Sequence, residues 1–340
     1  MKNISITAEH NYTVHFVDDW RRAITEICND REVLVCAPAS LENVIKGLPE
    51  RVKFLPLLDG EEQKSSSNFI ATLEQIADMK FPRSGILVGI GGGATTDLVG
   101  YVAASYLRGI DWIAVPTSLA GMVDAAIGGK TGINLTAGKN LAGAFHSPHA
   151  VIVDETFLTT LSNRDLQAGM AEVAKCGFIC DPTILNLITD GWRVNLSELI
   201  YRSIAVKAAV VSQDFKESFH REILNYGHTL GHAIERDSQY SLRHGECVAI
   251  GLNYAAELSH RFSGLPDDDL QLHRQVLGSL NLPMEYKKAA WPQLYEYMQS
   301  DKKKKGDLRF VTLSGIGKPT RLENVSEAQL RQAYEEVVGR

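Results

Sequence analysis

Gly85-Ile86-Leu87-Val88-Gly89-Ile90-Gly91-Gly92-Gly93-Ala94-Thr95-Thr96-Asp97 runs a short apolar segment into three consecutive glycines and then into a helical pattern. Gly85 to Val88 reads as a buried strand, and Thr96 to Leu107 as the helix that follows it. Gly89-x-Gly91-x-x-Ala94 has the spacing of a dinucleotide-binding turn in its Gly/Ala form. Glycine suits that turn because a side chain would hold the backbone N–H groups away from a pyrophosphate. The helix N-terminus adds a partial positive charge. The competing reading is a tight turn with no ligand; the flanking strand and helix favour phosphate or dinucleotide binding. The carboxylate expected about 20 residues on to meet a ribose would be Asp111. Asp111 begins the next strand instead of ending it, so the binding mode is not the standard Rossmann one.

Outward from this turn, short strands alternate with helical stretches. Val33 to Val35, Ile86 to Val88, Trp112 to Val115 and Val151 to Val153 read as strands, with amphipathic segments such as Asn68 to Met79 between them. Such alternation predicts a parallel sheet covered by helices. Past Asp154 the pattern changes. Ser162-Asn163-Arg164-Asp165 has capping-box spacing and opens long segments with three- and four-residue apolar intervals. Strand signals are then sparse until Leu308 to Leu313. The fold class expected is α/β, with a Rossmann-like parallel-sheet domain over residues 1–158 and a mostly α-helical domain over 159–340, sharing a close cleft.

A chain of 340 residues predicts two domains. It is long enough to bury roughly three quarters of its unfolded surface without disulfide or metal staples. Its 35 basic and 41 acidic side chains sum to −6, which argues against nucleic acid as the main partner. No stretch approaches the roughly 18–20 apolar residues of a spanning helix, and Met1 to Asp19 lack the apolar core of a signal peptide. Five scattered cysteines fit reduced thiols, so a cytoplasmic protein without membrane partners is expected.

Two further segments carry chemistry. Gly128-Gly129-Lys130-Thr131-Gly132-Ile133-Asn134 imitates the end of a nucleotide-hydrolase phosphate loop, but Asp124 stands where its first glycine is required. What remains is a turn presenting Lys130, with Asp124, Lys139 and Asn140 nearby, suited to an anionic substrate. Between positions 220 and 244 lie four histidines: His220, His228, His232 and His244. His228, His232 and Glu235 share one helical face, and the paired imidazoles suit zinc once a third ligand comes from elsewhere in the chain. His244 and Glu172 are both candidate sources of that ligand. Thr229 replaces the glutamate of a zinc-protease helix, which removes peptide hydrolysis by that route. Lys302 to Lys305 is a basic run that reads as solvated on its own.

Taken in order, Gly91-Gly92-Gly93-x-x-x-Asp97, Arg108-Gly109, Pro116-Thr117-Ser118, Asp124, Gly128 to Asn134, Gly138-Lys139-Asn140, Glu172-x-x-Lys175, Asn225-x-Gly227-His228-Thr229-x-Gly231-His232-x-x-Glu235 and His244-Gly245-Glu246 resemble the 3-dehydroquinate synthases of the shikimate pathway. The likeness runs from about residue 59 to 313. It implies a homodimer with an N-terminal NAD domain and a C-terminal domain holding zinc or cobalt. Glu172, His228 and His244 match the family's metal ligands. Arg108, Asn140, Asn225 and His232 match its phosphate contacts, with Lys302 or Lys303 added. Lys130, Lys207 and Arg221 match contacts to the substrate carboxylate and hydroxyls. Lys130, Lys175, Lys207, Arg108 and Arg221 make an expected basic floor for a ligand bearing phosphate and carboxylate, and Asp124 is expected among the catalytic residues. Glu61, Lys64, Gly92, Gly93, Asp97, Thr117, Ser118, Lys130, Lys139, Thr160 and Leu161 match NAD positions. Cys36-Ala37-Pro38-Ala39 stands where the family often has Asp or Asn for the adenosine ribose.

The implied substrate is 3-deoxy-D-arabino-heptulosonate 7-phosphate. The implied course is transient oxidation by NAD, β-elimination of phosphate, reduction and aldol closure to 3-dehydroquinate. A cyclase acting on sedoheptulose 7-phosphate, a polyol dehydrogenase of the glycerol dehydrogenase type and a non-enzymatic binding module are the competing readings. The set Lys207, Arg221 and Asn225 favours a carboxylated sugar phosphate.

Overall fold

The computed structural model describes residues 2–49, 51–217, 220–305 and 308–338. Two compact units form, Met1–Leu161 with Lys207–Lys216, and Ser162–Val206 with Glu217–Arg340.

The first unit is built on a seven-stranded sheet. Its strands are β1 (Asn3–Ile6), β2 (Tyr12–Val17), β3 (Val33–Pro38), β4 (Val52–Leu57), β5 (Ile86–Gly91), β6 (Asp111–Pro116) and, after a separate hairpin of β7 (Lys130–Leu135) and β8 (Gly138–Phe145), β9 (Ala150–Asp154). Their order is β1-β2-β9-β6-β5-β3-β4. Only β1 and β2 pair antiparallel; every other neighbour in the sheet is parallel. The four strands expected from apolar runs are β3, β5, β6 and β9. β3, β5 and β9 are buried along their whole length and β6 from its second residue on, as parallel strands covered on both faces should be. The strand order reverses between β3 and β5, the position where open α/β sheets bind ligands.

Beyond β5, Gly92 precedes the helix Gly93–Ser105. A Cβ on Gly91 would run into the Thr95 side chain, and one on Gly89 would sit 3.0 Å from Val99 Cβ. Close packing of strand against helix therefore demands these glycines. Asp111 at the start of β6 pairs with Arg31 at 2.8 Å, so its carboxylate serves the fold.

The segment Gly128 to Asn134 corrects the sequence expectation of a turn. Lys130 opens strand β7, which pairs antiparallel with β8 and sets Gly132 opposite Gly143. A Cβ on Gly143 would strike the Thr131 carbonyl, so the backbones approach closely only without one.

In the second unit, Ser162 caps the helix Asn163–Ile179 by accepting from the Asp165 N–H at 3.1 Å. The helix His244–Phe262 packs on it where Gly245 meets the Ala168 carbonyl, and on the helix His228–Asp237 where Gly251 meets the Gly227 carbonyl. Leu230, Ile234, Ile250, Tyr254, Trp291, Leu294 and Tyr334 fill the core of this unit. β10 (Phe310–Leu313) and β11 (Pro319–Leu322) form a small hairpin beside it. Among the described residues no helix is long and apolar enough to cross a membrane.

Candidate functional site

Three side chains from three helices of the second unit converge. Glu172 lies in the middle of Asn163–Ile179, His228 is the first residue of its helix and His244 the first of the next. Glu172 Oε1 is 3.3 Å from His228 Nε2 and 3.1 Å from His244 Nε2. One ligand atom from each of the three lies within 4.8 Å of the others, the spacing of a metal site. Gly227, at φ 80°, turns the chain into the His228 helix, and a Cβ there would strike Leu252. That glycine thus aims His228.

Glu172 and Lys175 are both buried and joined at 2.5 Å through Glu172 Oε2. Burial pushes the Glu172 carboxyl up, but Lys175, His228 and His244 outweigh it and hold it well below the usual carboxylate range. Burial pulls His244 down; its hydrogen bonds to Glu172 and Glu235 prevail and raise it to about 10. His232 is exposed, one turn from His228, and belongs to a second cluster of similar tightness with Glu235 and His244. Arg221 is a fully buried guanidinium in the 3-10 turn His220–Asn225, where Asn225 donates to Glu217 at 3.0 Å.

The first unit gathers a second group of expected residues around the buried Lys64. Its ammonium donates to Asp97 and to Asn140 at 2.6 Å each, with Glu61 3.9 Å away. Lys139 lies 3.8 Å from Glu61. Asn134 links the set, donating to Glu61 at 2.8 Å and accepting from the Asn140 N–H at 3.0 Å. Burial pushes the Asp97 carboxyl up to about 6, against the pull of Lys64. Asn140, expected among phosphate contacts, thus keeps company with the expected NAD residues. Thr117 N–H donates to the Gly91 carbonyl at 2.9 Å, and Ser118 Oγ accepts from Gly121 N–H at 3.2 Å, which brings both beside the glycine turn. A Cβ on Gly92 would come 3.5 Å from that Ser118 Oγ.

Lys207 grips Asp124 at both its carboxylate, at 2.5 Å, and its main-chain carbonyl. Lys130 is exposed at the start of β7, and Arg108 is exposed in a left-handed pair with Leu107, at φ 66° and 49°. Thr160 and Leu161 close the 3-10 turn after β9. Lys302 and Lys303 occupy the last turn of the helix Trp291–Lys305, and their side chains lie outside the described residues. Two contributors were not singled out as site residues from sequence. Tyr226 offers its carbonyl to His228 Nδ1 at 3.1 Å, and Glu235 lies 3.3 Å from His244 Nδ1. The i+7 spacing of Glu235 from His228 was its only signal.

A parallel sheet with a glycine turn at its switch point, together with a helical unit carrying a Glu-His-His cluster, defines a protein of the dehydroquinate synthase-like fold. Residues 54–168 match the family 3-dehydroquinate synthase N-terminal, and residues 169–304 match 3-dehydroquinate synthase C-terminal. The chain belongs to the 3-dehydroquinate synthase family. It is 47% identical over 348 aligned positions to the 3-dehydroquinate synthase of Pseudarthrobacter chlorophenolicus, covering 97% of this chain and 96% of that one. With the 3-dehydroquinate synthase of Streptomyces avermitilis it shares 50% identity over 287 positions, 82% of this chain and 79% of the relative. A solved 2-deoxy-scyllo-inosose synthase, complexed with carbaglucose-6-phosphate, NAD+ and Co2+, superposes with a TM-score of 0.89. It is 26% identical and covers 99% of this chain and 100% of its own.

Proposed function

We propose that this protein is a 3-dehydroquinate synthase, converting 3-deoxy-D-arabino-heptulosonate 7-phosphate to 3-dehydroquinate and inorganic phosphate as a carbon–oxygen lyase of aromatic amino acid biosynthesis. The observation that carries this reading is the convergence of Glu172, His228 and His244 in a chain of this family.

One carboxylate and two imidazoles form a donor set that suits Zn2+ or Co2+. The fit extends to atoms: Lys175 occupies Glu172 Oε2, and both imidazoles turn Nε2 toward Oε1. The glycine turn, the Thr117–Ser118 step and the network of Glu61, Lys64, Asp97 and Lys139 form the proposed NAD site, with Gly92, Gly93, Thr160 and Leu161. When bound, the metal supplies a Lewis acid for a substrate hydroxyl, and NAD supplies a hydride acceptor that is restored within the cycle.

The chain's own residues bind and orient. Lys130, Lys207 and Arg221 are proposed to meet the carboxylate and hydroxyls. Arg108, Asn140, Asn225 and His232, with Lys302 or Lys303, are proposed for the phosphate. Guanidinium groups pair with carboxylate or phosphate in two parallel hydrogen bonds, and ammonium groups act as point charges. Lys175 neutralises Glu172, so that a buried carboxylate stays ionised and able to ligate. A homodimer working in the cytoplasm completes the reading.

Phosphate release with catalytic NAD tests it, comparing the heptulosonate phosphate with sedoheptulose 7-phosphate, each with and without chelator. Chelator-sensitive release from the carboxylated sugar, with no net NADH, is expected. Release only from the neutral sugar would make the protein another sugar phosphate cyclase. NADH accumulating without phosphate would make it a dehydrogenase.

A further inference from the structure

The two imidazoles facing Glu172 are held in the same way but by different kinds of partner. His228 directs Nε2 to Glu172 Oε1, and its Nδ1 lies 3.1 Å from the Tyr226 main-chain carbonyl. A carbonyl only accepts, so Nδ1 donates to it and Nε2 is the nitrogen left facing Glu172. The structure assigns the matching role at His244 to a side chain: we propose that Glu235 is a positioning residue, holding the His244 ring through Nδ1 so that Nε2 faces Glu172. The inference rests on Glu172, His228 and His244 being the metal ligands.

The geometry supports it from several sides. Glu235 Oε1 is 3.3 Å from His244 Nδ1, while His244 Nε2 is 3.1 Å from Glu172 Oε1. The ring therefore spans two carboxylates, one at each nitrogen. Glu235 is 7% exposed and sits in the last turn of the helix that begins with His228. Its carbonyl accepts from the Tyr240 N–H at 2.9 Å and from the Ser238 hydroxyl at 3.0 Å, which anchors its backbone. One helix thus supplies a ligand at its first residue and the partner of the other ligand two turns later. A main-chain carbonyl orients an imidazole by geometry alone. A carboxylate adds charge, raising the basicity of the far nitrogen.

His232 and Glu235 also cluster with His244, which offers a different outcome in which Glu235 binds the metal itself. That arrangement would recruit His244 through Nδ1 and abandon Glu172.

Zinc affinity of the full chain, measured by competition with a chromophoric chelator, separates these. Wild type, Glu235→Gln, Glu235→Ala and Glu172→Gln are compared, with Co2+ absorption spectra of each. Glu235→Ala is expected to weaken zinc binding about 10- to 100-fold. Glu235→Gln, whose amide oxygen still accepts from Nδ1–H, is expected to lose less. Both should keep the wild-type Co2+ spectrum at saturation, while Glu172→Gln loses binding altogether. Equal affinity of wild type and Glu235→Ala would overturn the positioning role alone. An altered Co2+ spectrum in both Glu235 variants, with Glu172→Gln still binding, would make Glu235 a ligand and overturn it too. Absence of zinc binding by wild type would overturn the metal site itself. Nitrogen-15 shifts of His244 in zinc-loaded wild type read the tautomer directly, independent of how the variants fold. A proton on Nε2 would refute the assignment.

Discussion

At the scale of single residues, Glu172 and Lys175 pose the sharpest energetic problem. Two opposite charges lie one helical turn apart with almost no solvent around either. Taking each from water costs several kcal/mol, recovered only while the partner remains. Lys175→Met should therefore destabilise the metal-free second unit by about 3–5 kcal/mol, whereas adding Glu172→Leu to it should restore much of the loss. Urea unfolding of the single and double variants checks this. Independent, additive losses would mean that the pair is not coupled. The spacing Glu172-x-x-Lys175 was visible in the sequence. That its members are buried together was not, because a helical pair at that spacing is more often a solvated one.

Elements decide whether the proposed ligands meet. The helices His228–Asp237 and His244–Phe262 cross where Gly251 rests on the Gly227 carbonyl, and a Cβ there would overlap main chain that cannot move aside like a flexible side chain. Gly251→Ala should cost about 1–3 kcal/mol or more through overpacking. It should also weaken zinc binding, because it forces apart the two helices whose first residues are His228 and His244. A melting curve together with a zinc titration tests both; an unchanged affinity would show that the crossing does not set the ligand geometry. Capping at Ser162 and the four apolar strands were legible because caps and hydrophobic runs are local signals. The β7–β8 hairpin was not. Gly128 to Asn134 has the composition of a turn, and its strand character comes from pairing with Gly138–Phe145 across facing glycines.

The stability of the folded second unit as a whole should carry the signature of His273. The ring is fully buried and stacked on Phe178 at 3.8 Å, with Nε2 2.9 Å from the Tyr226 hydroxyl and Nδ1 2.7 Å from the Asp269 carbonyl. Burial depresses it to about 4, against about 6.5 in an unfolded chain. Its neutral form is thus favoured by folding, so its contribution is complete above pH 6.5 and is lost as pH falls toward 4. Over that window the loss is on the order of 3 kcal/mol. Denaturant unfolding at pH 7 and pH 4.5 should show His273→Gln losing less stability on acidification than wild type. Equal losses would place the acid sensitivity elsewhere.

Read alone, the chain specifies its local pieces: the strand, glycine turn and helix of 85–97, the capped helix at Ser162, and a helical face bearing His228, His232 and Glu235. Each depends on neighbours a few residues apart, where periodicity and backbone sterics act. Their assembly depends on contacts that no local pattern encodes. Glu172 reaches His244 across 72 residues and Lys207 reaches Asp124 across 83. Helix packing turned both imidazoles toward one carboxylate oxygen and set Glu235 behind the second. Spacing along the chain put His228 and His232 together as paired imidazoles. The tertiary structure joined His228 to Glu172 and His244, because close helix crossings at glycine bring distant backbones near enough for those side chains to meet.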